Sequence, residues 1–179
     1  MKRSTIVQVP SFAAKYVIPA FDGCVDSAAN LAVALEPSQR WDMVDLMVYQ
    51  RVDKPAFREF FASVWISLNL RERMPLTRSE VIKFFKYADF SKPTHLPKTF
   101  RIYRGTCGIS AKKAAKGFSW TTDINIAKFF ANRFANCSPI IISTEILIDD
   151  VYLYTNDRKE NEIVILHPVT SYIEHEVAT

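Results

Sequence analysis

Arg158-Lys159-Glu160-Asn161-Glu162-Ile163-Val164-Ile165-Leu166 sets two carboxylates, one residue apart, at the mouth of a run of β-branched and aliphatic residues. Such a run reads as a buried strand that opens on a pair of acids. Side chains of an extended chain alternate faces, so Glu160 and Glu162 are expected on one side and Asn161 on the other. Taken alone, the pair reads first as a solvated polar mouth, since charged residues at strand ends serve solubility. A function for it requires partners elsewhere in the chain.

Around that stretch the second half of the chain reads as strands. Residues 139–147 are a continuous apolar, β-rich run, 151–154 a short strand, and 171–177 a final one. Upstream, Thr99-Phe100-Arg101-Ile102-Tyr103-Arg104 alternates like a strand and is expected to stop at Gly105, where a bare backbone admits a close approach. Residues 112–117 are small and basic, a short helix or loop. The hydroxyl-rich Gly117-Phe118-Ser119-Trp120-Thr121-Thr122-Asp123 follows, and Asp123 can cap a short helix with Ala127, Phe130, Ala131 and Phe134 facing inward. Two prolines, Pro93 and Pro97, forbid a helix through this stretch and mark an organisational boundary. The division expected is a helical region over 1–92 and a β-rich region over 93–179, built as one compact unit.

The first region is helical by periodicity. Ala13, Ala14, Val17, Ile18 and Phe21 have helical spacing, broken at Asp22-Gly23; Val25, Ala28, Ala32 and Leu35 form a second pattern that ends before Pro37. Ser38 can cap a third helix with Trp41, Val44 and Val48 on one face. After Asp53 and Pro55, the residues Phe57, Phe60, Phe61, Val64, Trp65 and Leu68 fall at three- and four-residue steps, the pattern of a buried helix. Thr77 and Glu80 form a capping box, with Leu76 and Val81 placed as a hydrophobic staple, ahead of the inner face Val81, Phe84, Phe85 and Ala88. Aromatic stripes at this spacing are packing devices, and no catalytic residue stands out before Pro93.

At 179 residues and 49% hydrophobic, the chain suffices for one good core or two small ones. Cys24, Cys107 and Cys137 are widely spaced, with only His95, His167 and His175 to join them, which argues against a zinc site. The odd cysteine count, the absence of a signal-peptide pattern after Met1-Lys2-Arg3 and the lack of a long apolar run predict a cytoplasmic protein with no membrane partner. No feature of the sequence speaks to oligomeric state. Net charge is +4 with a pI near 9.0, and the distribution is uneven. Residues 92–133 carry nine Lys and Arg against the single acid Asp123, whereas residues 145–162 are acid-rich, with only Arg158 and Lys159 in opposition. Segments of opposite sign could build a site with a cationic end for phosphates and an anionic end for a developing cation, or simply attract one another as solvated faces.

Three features stand in chain order: Tyr103-Arg104-Gly105 ending a strand, Ser119-Trp120-Thr121-Thr122 on a second, and Glu160-Asn161-Glu162 opening a third. In these the sequence resembles the ADP-ribosyltransferase superfamily, in its arginine-serine-glutamate branch, which includes bacterial toxins, effectors and phage enzymes. The resemblance covers roughly residues 98–177. Arg104 fits the family's strand-end arginine, Ser119-Trp120-Thr121 its serine-threonine-serine element with tryptophan in the central place, and Glu160-Asn161-Glu162 its Glu-x-Glu.

The resemblance implies an α+β fold in which a helical N-terminal half packs beside a small core of two antiparallel sheets. It also implies NAD as the substrate, with Arg104, Ser119 and Glu162 converging on one cleft. Breaking the N-glycosidic bond to nicotinamide passes through an oxocarbenium-like state, so positive charge on the ribose must meet a fixed carboxylate. The family assigns that role to Glu162, with Ser119 holding its rotamer and Glu160 taking a proton from the acceptor. Arg104 would supply a bidentate cation for the phosphate and ribose region. Gly105 would admit the nicotinamide amide to the backbone, and Tyr103, Trp120 and Thr121 would complete the nucleotide site. Glu-x-Glu is associated in this branch with arginine acceptors on proteins. RNA or DNA acceptors, hydrolysis of NAD by water, and a non-catalytic binding or inhibitor module are the alternatives, and the helical half would cover the cleft or dock a target.

Overall fold

A computed structural model describes residues 7–67 and 76–176, and the chain forms two compact units, Met1–Phe90 and Ser91–Thr179. Leu68 and Val177, assigned above to the fourth helix and the last strand, and the Met1–Arg3 start lie outside the described residues. Among the described residues the fold is α+β, with seven α-helices and one six-stranded antiparallel sheet. No helix among them is long and apolar enough to cross a membrane.

The first unit holds α1 (Ala14–Phe21), α2 (Val25–Ala34), α3 (Pro37–Tyr49), α4 (Lys54–Ile66) and α5 (Arg78–Ala88). Its core is aromatic: Phe57, Phe60, Phe61, Phe84 and Phe85 are fully buried, and the Phe61 ring meets Phe85 edge-on at 4.8 Å between centroids. Such pairs add about 0.5–1.5 kcal/mol beyond their burial. The capping box of α5 is formed, with Thr77 N–H donating to Glu80 Oε2 at 2.7 Å and Glu80 N–H to Thr77 Oγ1 at 3.3 Å. The start of α3 differs from expectation. Pro37 already occupies the first helical turn, where its missing N–H is no loss, so the cap falls on Glu36, whose N–H donates to Gln39 Oε1 at 3.0 Å.

The second unit holds β1 (Thr99–Cys107), α6 (Ala111–Ala114), β2 (Ser119–Thr121), α7 (Ile124–Ala131), β3 (Pro139–Leu147), β4 (Val151–Thr155), β5 (Glu162–Ile165) and β6 (Ile173–His175). The sheet order is β4-β5-β2-β1-β3-β6. This corrects the expectation of two sheets. β1 pairs with β3 from Thr99 opposite Leu147 to Cys107 opposite Pro139, but with β2 only through Tyr103 opposite Thr121. That one pair joins the two halves into a single sheet with a narrow seam.

One face of the sheet packs a core of Ile102, Trp120, Ile142, Ile146, Ile163 and Ile165 against Ala111, Ala114 and Ala115. The other face meets α7 through Ala127, Ala131, Ile141 and Tyr103. α7 ends at Ala131, so Phe134 falls beyond it and is exposed rather than inward. β1 does not stop at Gly105 but runs through it, because the bare Cα is needed for packing: a Cβ there would lie 1.7 Å from the Ala127 carbonyl oxygen of α7.

Candidate active site

β2 is the short strand that gathers the site. Thr121 stands opposite Tyr103 of β1 on one side and Glu162 of β5 on the other; Thr155 of β4 is opposite Glu162, and Ser143 of β3 opposite Tyr103. Directly opposed residues share a face, so Thr155, Glu162, Thr121, Tyr103 and Ser143 make one row across five strands. Ser119 lies on the same face two residues along, opposite Val164. Trp120 alternates to the other face, where it is 3% exposed, packs in the isoleucine core and donates its indole N–H to Gly117 O at 3.1 Å. The assignment of Trp120 to the nucleotide site is therefore corrected: it is a core residue.

The two acids come together by a different route from the one their spacing predicts. β5 begins at Glu162, and Asn161 has a left-handed backbone (φ 45°), so Glu160 lies in the turn before the strand and strand alternation does not apply to it. Thr121 holds that turn. Its hydroxyl donates to Glu160 O at 2.7 Å and accepts from Asp123 N–H at 3.0 Å, while Thr122 N–H donates to Asn161 O at 3.2 Å. The carboxylates then meet one guanidinium, with Arg158 Nη2 at 2.8 Å from Glu160 Oε2 and 3.7 Å from Glu162 Oε2. The Glu162 side chain is 8% exposed and that of Glu160 23%, so Glu162 is the deeper acid.

Arg104 alternates away from Tyr103, onto the Trp120 face. Its guanidinium nevertheless reaches β2, where Nη1 donates to the Ser119 carbonyl oxygen. Burial pulls the Arg104 guanidinium below the usual arginine range, and the negative charge of Glu162 acts in the opposite sense. Its Nε is buried without a hydrogen-bond partner among the described residues, a costly state for a donor on a cation. Gly117 makes room for this side chain: a Cβ there would lie 2.3 Å from Arg104 Cζ.

The chain thus brings Ser119, Thr121, Tyr103 and Glu162 onto one face, sets Glu160 beside Glu162, and links Arg104 to them through the Ser119 backbone and the field of Glu162. Gly105 lies under α7, and its missing side chain is accounted for by that helix. Sequence reasoning passed over three participants. Arg158 counted there only as a charge, Gly117 only as the junction between a small, basic stretch and a hydroxyl-rich one, and Ser143 only as part of an apolar run. Ser143, fully buried, extends the row through His175, whose Nε2 lies 2.8 Å from Ser143 Oγ and whose ring centroid is 6.0 Å from that of Tyr103. A glycine just before a predicted strand was the one available signal for Gly117. No family model, curated protein or solved structure matches the chain.

Proposed function

We propose that the chain is a mono-ADP-ribosyltransferase that cleaves nicotinamide from NAD and transfers ADP-ribose to a guanidino group of a protein. The observation that carries this reading is the buried Glu162, set opposite Thr121 in the β5-β2-β1 row with Glu160 beside it on the shared Arg158 guanidinium. A carboxylate held out of water acts strongly on a cation that develops beside it, because little solvent screens it and its position is already fixed. In the reaction the bond from ribose C1′ to the pyridinium nitrogen breaks and nicotinamide leaves with the bonding pair. Glu162 faces the resulting charge on the ribose. The acceptor nitrogen then bonds to C1′ and gives its proton to Glu160, the more exposed of the two acids and the one that an incoming group reaches first. Arg104 supports the site from the Trp120 face, where its guanidinium donates to the Ser119 carbonyl oxygen and so fixes the strand that carries Ser119 and Thr121.

The test is incubation of the purified protein and a cell lysate with labelled NAD. Label in protein, together with release of nicotinamide, supports the reading; label in RNA or DNA changes the acceptor, and nicotinamide release with no label in any polymer makes water the acceptor. Thermal unfolding gives a second arm, since a ligand at 100 times its Kd stabilises by about 2.7 kcal/mol. No shift at millimolar NAD and no nicotinamide release would leave a binding module.

A further inference from the structure

The turn into β5 returns one of the chain's own guanidinium groups to the two acids. Lys159 and Asn161 both have left-handed backbones, with φ 57° and 45°. A lysine seldom adopts that region, and a set of hydrogen bonds fixes the turn. Lys159 N–H donates to Asn156 O at 2.8 Å, Asn161 N–H to Asn156 Oδ1 at 3.1 Å, and the Tyr154 hydroxyl to Asn161 Oδ1 at 3.2 Å. The far side of the turn is held by Thr121 and Thr122, as described above. This shape places Arg158 Nη2 between Glu160 Oε2 and Glu162 Oε2. The contact to Glu160 has the length of a charge-assisted hydrogen bond.

We infer that Arg158 occupies the place of the acceptor guanidinium, as an internal competitor that an incoming guanidino group must displace. The inference rests on the reading under Proposed function and adds to it a residue that sets acceptor affinity. Chemical identity supports it, since the group between the two acids is the same one the acceptor would bring. Exposure supports it as well. The Arg158 side chain is 41% exposed, against 23% and 8% for the two acids, so it lies on the solvent side of the pair and can swing out without disturbing the sheet. Ion pairs exposed to this degree are weak, so the competition should lower acceptor affinity by about two- to five-fold rather than abolish binding.

The experiment compares the wild-type protein with Arg158→Gln and Arg158→Lys, using agmatine as a small guanidino probe at constant ionic strength. Agmatine binding is measured by titration of backbone resonances around Glu160 and Glu162, and transfer kinetics by formation of ADP-ribosylagmatine. Arg158→Gln should bind agmatine about two- to five-fold more tightly, with KM falling by a similar factor. Arg158→Lys keeps the charge but loses the fork, and should fall between the two. NAD cleavage by the wild type with agmatine binding unchanged or weaker in Arg158→Gln overturns the inference and leaves the enzyme reading intact. A wild type that cleaves no NAD overturns the enzyme reading and this inference with it.

Discussion

Replacing Gly117 by alanine should unseat Arg104 while leaving the backbone free to fold. Gly117 has no positive φ, so its own conformation accepts a side chain. The new Cβ would lie 2.3 Å from Arg104 Cζ, 2.5 Å from Nε and 2.7 Å from Nη2. Carbon contacts settle at about 3.5–4.0 Å, so the guanidinium must withdraw by more than about 1 Å. A shift of that size stretches and misaligns the hydrogen bond from Nη1 to Ser119 O. Bonds to charged groups contribute about 1.5–3 kcal/mol, and Gly117→Ala should lose part of that, about 1–2 kcal/mol. Urea unfolding read from the Trp120 indole resonance reports on this unit directly, because that N–H donates to Gly117 O. If Arg104 is the partner in the clash, adding Gly117→Ala to Arg104→Met should cost much less than adding it to the wild type, a coupling of about 1–2 kcal/mol. A Gly117→Ala protein within about 0.5 kcal/mol of wild type, or additive effects in the double variant, would refute this account of how Arg104 is seated.

Gly105→Ala should be more damaging than Gly117→Ala, because the obstructing atoms are the backbone of Ala127 rather than the end of a flexible side chain; the loss should reach or exceed the usual overpacking range of about 1–3 kcal/mol, and a mild effect on the thermal midpoint would count against the packing of α7 on β1. Under the proposed function, Glu162→Gln should reduce both NAD hydrolysis and transfer by about 10²-fold or more. Glu160→Gln should lose transfer to agmatine while keeping most hydrolysis, and equal loss of hydrolysis in both variants would undo the division of roles. Thiol chemistry should separate Cys24 from Cys107. A hydrogen bond from Ser27 lowers the pKa of the exposed Cys24, whereas the contact with Cys137 raises that of Cys107. The thiolate fraction at neutral pH is then larger at Cys24, so iodoacetamide should modify it first, with the gap closing as pH rises through the thiol range; peptide mapping that finds Cys107 reacting as fast at pH 7.5 would contradict that order.

The helices were legible because their signals are local. Phe57, Phe60, Phe61, Val64 and Trp65 repeat at the helical step and are all buried, and the Thr77–Glu80 box formed as its spacing required. Most strand positions were legible for the same reason. Illegible were the features decided by groups distant in sequence. Gly105 read as a strand end, because nothing nearby in the chain announces that α7 will press its backbone there. Trp120 sat inside a motif, and only the register Thr121↔Glu162 and Tyr103↔Thr121 assigns it to the opposite face. The proximity of Glu160 and Glu162 was anticipated from alternation, but it arises from a turn with two left-handed residues and a bridging arginine. Two sheets were expected where one pair of opposed residues makes them one.

That single pair, Tyr103 opposite Thr121, also bears on the order in which the chain can fold. β4 and β5 form a hairpin across a short turn, so Glu160, Glu162 and Arg158 can come together early, within microseconds on the scale of isolated hairpins. Pairing of β2 with β5 must close a much longer loop, and the β1–β2 contact is too small to drive it; both are non-local contacts of the kind that slow folding. The hairpin alone thus brings the acids and Arg158 near one another, whereas Ser119, Thr121 and Arg104, and with Thr121 the bonds that hold the turn, arrive only when the non-local pairings of β2 form. A chain that has collapsed without closing that seam has its two carboxylates and their arginine on one hairpin but lacks both the rest of the row and the threonines that fix the turn between them.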